Sequence, residues 1–369
     1  MQAEQRVSVR QMKVLLIFFI VGDLMWYLPS YTAGVADQDA WMAALLGVGL
    51  GIGVSSFIYW FGSRFPGMTI IDIHRHVLGK FAGGILSLLF LIHLMSNGSA
   101  QIRVIGDFMT TQMMTETPLR VVLFLFAAVV LISVRMGLTV IARTGQVFFM
   151  MFMLLFTILI LLLIPESEPS KILPIASHSA ADIIRGGLFV VAFPYCQMTV
   201  FLMLFPLLEE ERLSLKQYMI PLIIGGAVII IVVTLSILVL GAYMTQHQLY
   251  STYTMAKKIS IGNFLQRLEA ILVINYLLST YFKCVITLYA FCRGLTQLFG
   301  LRDYRVLTLP IFLFIFGYSY VISTNVVFFN SLGPAWALWE MSNVIFLLGF
   351  VYVVHLLKGL IKGKPLHSS

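Results

Sequence analysis

Ten apolar stretches, each about as long as a bilayer is thick, decide most of what this chain can become. They run over roughly 12–33, 41–62, 83–110, 119–135, 144–164, 185–207, 218–242, 264–291, 306–328 and 337–357. A helix needs about 20 apolar residues to cross the hydrocarbon core. Lipid supplies no hydrogen bonds, so each segment has to close its own backbone bonds, and a helix does so. The expected fold is all-α and polytopic, one membrane domain over 1–369. The chain is 60% hydrophobic and 11% charged, too apolar for the surface of a soluble domain. The first stretch is too long for the apolar core of a leader, is interrupted by Asp23 and is followed by nine more, so it reads as a span.

Orientation follows from the basic residues. Alternating the segments between spans places 16 of the 24 Lys and Arg on the side of the N-terminus, among them Arg6, Arg10, Lys13 and Arg293, and six on the other side. Basic residues favour the cytoplasmic side, which predicts both termini in the cytoplasm. The net charge of +8 therefore belongs to loops at the membrane surface and calls for no nucleic acid. The three cysteines, Cys196, Cys284 and Cys292, have no metal-ligand spacing and read as small buried thiols. His74 and His76 are two apart, a spacing that does not share a helix face, so no metal is expected there.

Two spans are interrupted. The stretch Gly186–Phe201 is apolar enough to cross a membrane, yet carries Pro194, Tyr195 and Gln197 at its middle. Proline removes an N–H and clashes with the carbonyl four residues back, which predicts an opening near 190–194. A plain proline kink is the alternative. Span one carries Gly22 and Asp23 at the corresponding place, five spans earlier. Interrupted helices at matching positions of two halves predict an inverted repeat with a binding site between them.

At about 1.5 Å per residue, Asp23, Pro194 and Lys283 all fall near mid-membrane. In span eight, Tyr276, Thr280, Lys283 and Thr287 recur every three or four residues and share one helix face. Ionisable groups at that depth face a partner or a polar cavity. Lys283 is expected to pair with Asp23, either as part of a site or as a structural ion pair. His93 in span three, with Ser96 and Asn97, is either a ligand contact or a packed, hydrogen-bonded residue. Arg103 and Asp107, four apart, read as a structural pair. Glu340 is placed near the outer end of span ten and given no role. The chain contains no G-x-S-x-G, H-E-x-x-H or phosphate-loop motif, so neither an enzyme nor a cofactor is expected.

Motifs along nearly the whole chain carry a resemblance. They include Leu28-Pro29, Asp39-Ala40-Trp41, Phe65-Pro66-Gly67, Leu78-Gly79-Lys80, Thr117-Pro118, Leu173-Pro174-Ile175, the run Phe201–Pro206 and the run Phe264–Glu269. In this order they resemble the GerAB-like B subunits of bacterial spore germinant receptors, in the amino acid–polyamine–organocation transporter superfamily. The resemblance implies a LeuT-type fold of ten helices, a 5+5 inverted repeat with helices one and six broken. It implies a small germinant bound at mid-membrane, A and C partner subunits and the spore inner membrane. A secondary transporter for an amino acid or amine is the other function it implies. Gly22, Asp23, His93, Pro194, Tyr195, Gln197, Thr280, Lys283 and Thr287 are the expected ligand-binding residues. Sodium-coupled members of the fold hold a cation between spans one and eight, where Lys283 would replace the ion. Relatives often carry a glycine and then a glutamate in span six, where this chain has Tyr195-Cys196-Gln197.

Overall fold

The computed structural model describes residues 6–22, 27–209, 213–259 and 269–361. The helices are α1 (Val9–Val21), α2 (Leu28–Ala36), α3 (Ala40–Ser63), α4 (Ile70–Leu78), α5 (Lys80–Phe108), α6 (Leu119–Met136), α7 (Leu138–Leu163) and α8 (Ala180–Val190). There follow α9 (Leu215–Leu240), α10 (Ala242–His247), α11 (Ser251–Ala256), α12 (Glu269–Phe299), α13 (Arg305–Val321), α14 (Val326–Ser331), α15 (Gly333–Val344) and α16 (Val351–Ile361). Eight helical segments among the described residues are long and apolar enough to cross a membrane. The expected first span is cut into α1 and α2, and the expected ninth is the 17-residue α13.

Local chemistry sets the ends. Ser8 and Ser214 open α1 and α9 with reciprocal caps to Gln11 and Gln217, and Thr69 opens α4 with Asp72 in the same way. Gly79, Gly137 and Gly241 turn the chain sharply at φ values of 85, 93 and 79°, which other residues rarely adopt. α4 buries Ile70, Ile71, Ile73 and His74, and the ring of His74 donates from Nε2 to the Leu347 carbonyl at 3.2 Å.

Burial ranks the helices. The most apolar part of Ala180–Met203 is 89% buried, against 22% for Leu138–Glu166. Span six is thus the centre of the bundle, with α2, α3, α12 and α15 packed around it, while α7 turns most of its surface outward. The approach of α3 is close because Gly47 and Gly51 face it. A Cβ on Gly51 would meet the Tyr195 ring at 2.2 Å. On the side of the N-terminus, Val7 pairs with the segment after span six. Val7 N donates to the Leu207 carbonyl and Glu209 N to the Val7 carbonyl, each at 3.0 Å. At the opposite side, buried Asp39 accepts from the backbone N–H groups of Ala176 and His178 and pins the 164–179 loop to the start of α3.

Candidate functional site

The expected opening of span six is present. α8 passes at Val191 into a π turn over Val191–Tyr195 that contains Pro194, and then into a 3-10 stretch over Cys196–Met203. Wider and tighter turns in succession break the regular bond ladder at functional sites. Lys283 reaches the break: its Nζ lies 3.4 Å from the Phe193 carbonyl and 4.9 Å from the centre of the Phe19 ring. The Lys283 stem presses on the end of α1, where a Cβ on Gly22 would meet it at 2.7 Å. Beside it Thr280 donates to the Gly22 carbonyl at 2.8 Å. Fully buried Lys283 thus joins α12 to both interrupted spans. Asp23, its expected partner, lies outside the described residues.

A second polar group closes the other flank of the break. Gln197 Nε2 donates to Asn97 Oδ1 at 3.2 Å, and Trp336 Nε1 donates to the same oxygen at 3.3 Å. Trp336 also donates to Glu340 Oε1 at 3.0 Å, while Glu340 Oε2 lies 3.3 Å from His93 Nε2. His93 and Glu340 are both buried, at 1% and 0% exposure. Gln197 Oε1 is buried and accepts no hydrogen bond among the described residues. Trp336 also lines a narrow crevice, together with Tyr27, Tyr31, Phe193, Phe329 and Gly333. Above it the rings of Tyr27, Tyr31, Phe189 and Phe193 stack at 5.1 to 6.4 Å. Tyr31 is anchored by its hydroxyl to the Asn330 carbonyl at 2.7 Å. Tyr27, Tyr31 and Phe193 of this stack form part of the crevice wall.

Of the expected residues, Gly22, Thr280, Lys283 and Pro194 gather on one flank of the break, and His93 and Gln197 on the other. Tyr195 and Thr287 stand apart. The Tyr195 ring packs against Gly51, and its hydroxyl points at α9, 3.4 Å from the Leu222 carbonyl. Thr287 turns its hydroxyl back to the Lys283 carbonyl at 2.9 Å. Glu340 corrects the sequence reading: it is fully buried beside His93 instead of near solvent. Its signal was available, a lone carboxylate in an apolar run, one helical turn after a tryptophan. Arg103 and Asp107 do pair, at 2.9 Å, as expected.

Interrupted spans packed around a buried polar centre make this a membrane protein of the LeuT type. The fold is shared with Mhp1, a nucleobase-cation-symport-1 family transporter, solved closed with bromovinylhydantoin bound. The TM-score is 0.67 at 12% identity, over 94% of this chain and 78% of that one. MhsT in complex with L-phenylalanine gives a TM-score of 0.66 at 13% identity, over 97% and 99% of the two chains. These likenesses concern the fold alone. In sequence, spore germination protein KB of Bacillus subtilis (strain 168) is 26% identical over 323 residues, 87% of this chain and 86% of that one. Spore germination protein GerQB of Bacillus cereus is 26% identical over 330 residues, 87% and 88% of the two chains. The spore germination protein family matches residues 6–327, and this chain belongs to it.

Proposed function

We propose that this chain, acting as one membrane domain, is the B-type subunit of a spore germinant receptor. It binds a small nutrient germinant, an amino acid or similar, at the span-six break. The observation that carries this reading is the break itself: a π turn around Pro194 with Lys283 on one flank and the Gln197–Asn97 pair on the other. A ligand shifts a conformational equilibrium only by its difference in affinity for the two states. Here Gln197 Oε1 is an acceptor that a ligand donor would satisfy. The chain works with A and C subunits in the spore inner membrane, with both termini in the cytoplasm, and carries out no chemical turnover.

Spores carrying Gln197→Leu test the site. The variant chain is expected at normal levels in the membrane with the germinant response abolished. An unchanged dose–response curve would exclude Gln197 from the site. A second reading, secondary transport of an amino acid or amine, is favoured by the likeness to transporters of this fold. Uptake by the lone chain in proteoliposomes would support it. Loss of germination with uptake retained would separate the two activities.

A further inference from the structure

The head of α1 is the floor of a groove on the flank of the bundle, away from the break. Arg10, Lys13 and Ile17 line it from α1, at helical spacings of three and four that share one face. α7 and α9 both pack on α1 and supply the walls, with Val147 and Met150 on one side and Ile220 and Ile224 on the other. These walls look outward: Val147 and Met150 are 65% and 68% exposed. The inner end is closed. A Cβ on Gly225 would meet Ile20 at 2.6 Å, so α9 lies directly on α1 there. The rings of Phe18 and Phe149 meet edge to face at 5.9 Å and join α1 to α7.

The mouth of the groove is basic. Arg10 and Lys13 line it, and none of the lining residues is acidic. Each wall adds a cation one helical turn nearer the membrane surface. Exposed Arg143 stands four and seven residues before Val147 and Met150, and exposed Lys216 stands four and eight before Ile220 and Ile224. Among the described residues these four cations form no salt bridge. Seven or eight residues of helix cover about 10–12 Å. The hydrocarbon of one leaflet is about 15 Å deep, half of the bilayer core. The cations therefore stand at head-group level, and the apolar walls run down most of one leaflet.

We propose that this groove binds one anionic phospholipid from the leaflet on the side of the N-terminus. The phosphate sits among Arg10, Lys13, Arg143 and Lys216, and an acyl chain lies along Ile17 between α7 and α9. Arginine takes a phosphate through paired N–H donors and lysine takes it as a point charge. A zwitterionic lipid would bring its own ammonium among four like charges. A free phosphate would meet the same cations but leave the apolar walls bare. Basic pockets between spans at this depth suit anionic head groups. Because α1 is the first half of an interrupted span, a lipid held here ties that half to α7 and α9.

The test does not involve the span-six break, so it is independent of what that site binds. The full chain in detergent is given equal amounts of phosphatidylglycerol and phosphatidylcholine, and retained lipid is counted by native mass spectrometry. Retention of one phosphatidylglycerol per chain is expected, in preference to phosphatidylcholine. Arg10→Gln with Lys13→Gln should lower that retention by about tenfold. Arg302→Gln with Arg305→Gln removes the same charge from exposed positions outside the groove, and should change retention by less than about twofold. Ile224→Trp fills the apolar part with the cations in place, and should also release the lipid. Excess inorganic phosphate should not displace it. Equal retention of the two lipids overturns the proposal, since it marks ordinary boundary lipid. Equal losses in the two charge-removing pairs overturn it as well, because net charge alone would then explain binding. Displacement by phosphate, or retention indifferent to Ile224→Trp, overturns the seat of the acyl chain. If the Arg10, Lys13 variant does not insert, Arg143→Gln with Lys216→Gln makes the same comparison and decides alone.

Discussion

Two buried acid–base pairs use the same helix, α5, and they are built differently. Arg103 and Asp107 sit one turn apart on one helix and bond through both carboxylate oxygens at 2.9 Å. The remaining guanidinium donors close the end of α13, reaching the Tyr320 and Ser323 carbonyls at 3.0 and 2.8 Å. His93 and Glu340 come from two helices, meet at 3.3 Å and border an acceptor, Gln197 Oε1, that nothing among the described residues satisfies. A fully satisfied network holds helices together, whereas an unsatisfied buried acceptor is costly until a donor reaches it. The first pair is structural and the second lies beside the break that we propose as the site, although both are remote from water.

The largest effect that tests this contrast is at Arg103. Arg103→Ala strands Asp107 and the Tyr320 and Ser323 carbonyls, and breaking such a pair typically costs about 3–5 kcal/mol. Membrane level and thermal stability in detergent should fall together with function. Normal stability with function lost would move Arg103 into the site and erase the distinction.

Next comes Lys283, which touches the break directly. Lys283→Met is expected to abolish the response and lower the membrane level severalfold. If Asp23 is its partner, adding Asp23→Asn should be milder than the sum of the two single changes. Strictly additive losses in germination and membrane level would reject the pairing. A strong sodium requirement in the unmodified protein would reject Lys283 as a replacement for the ion.

A moderate, pH-dependent effect is expected at His74, outside the spans. Burial holds its imidazole down to about 4 from an ordinary 6.5. Between those values the unfolded chain takes up a proton that the folded chain refuses. Stability is therefore full above about pH 6.5 and is lost as pH falls toward 4, by about 1.4 kcal/mol per unit across the window. Melting curves at several pH values should show this slope, and His74→Gln should flatten it. The smallest effect is expected for Lys257→Ala with Lys258→Ala: a change of less than about twofold in the germinant midpoint. Lys257 only rests over the Tyr253 ring at the surface, at 4.4 Å. A complete loss of response at normal protein level would place the site in the outer loop instead.

The sequence was most legible where chemistry is local. Pro194 announces a broken helix because a missing N–H acts within one turn. The Lys283 stripe was legible because helix periodicity fixes which residues share a face. What escaped depends on tertiary register. Glu340 was measured from the start of an apolar run at 337, but α15 begins at Gly333 after the short helix α14, which carries Glu340 inward to His93. Tyr195 looked like a cavity residue because it adjoins Pro194. Only the glycine-rich face of α3 decides that its ring turns the other way.

The two bonds between Val7 and the Leu207–Glu209 segment bear on how motion would spread. They clasp the beginning of the first interrupted span to the far end of the second. A hydrogen bond fails within about 1 Å of stretching, so the clasp has almost no slack. Displacement of the lower half of span six either carries the head of α1 along or snaps both bonds at once, and the molecule is geared to transmit a tug rather than absorb it.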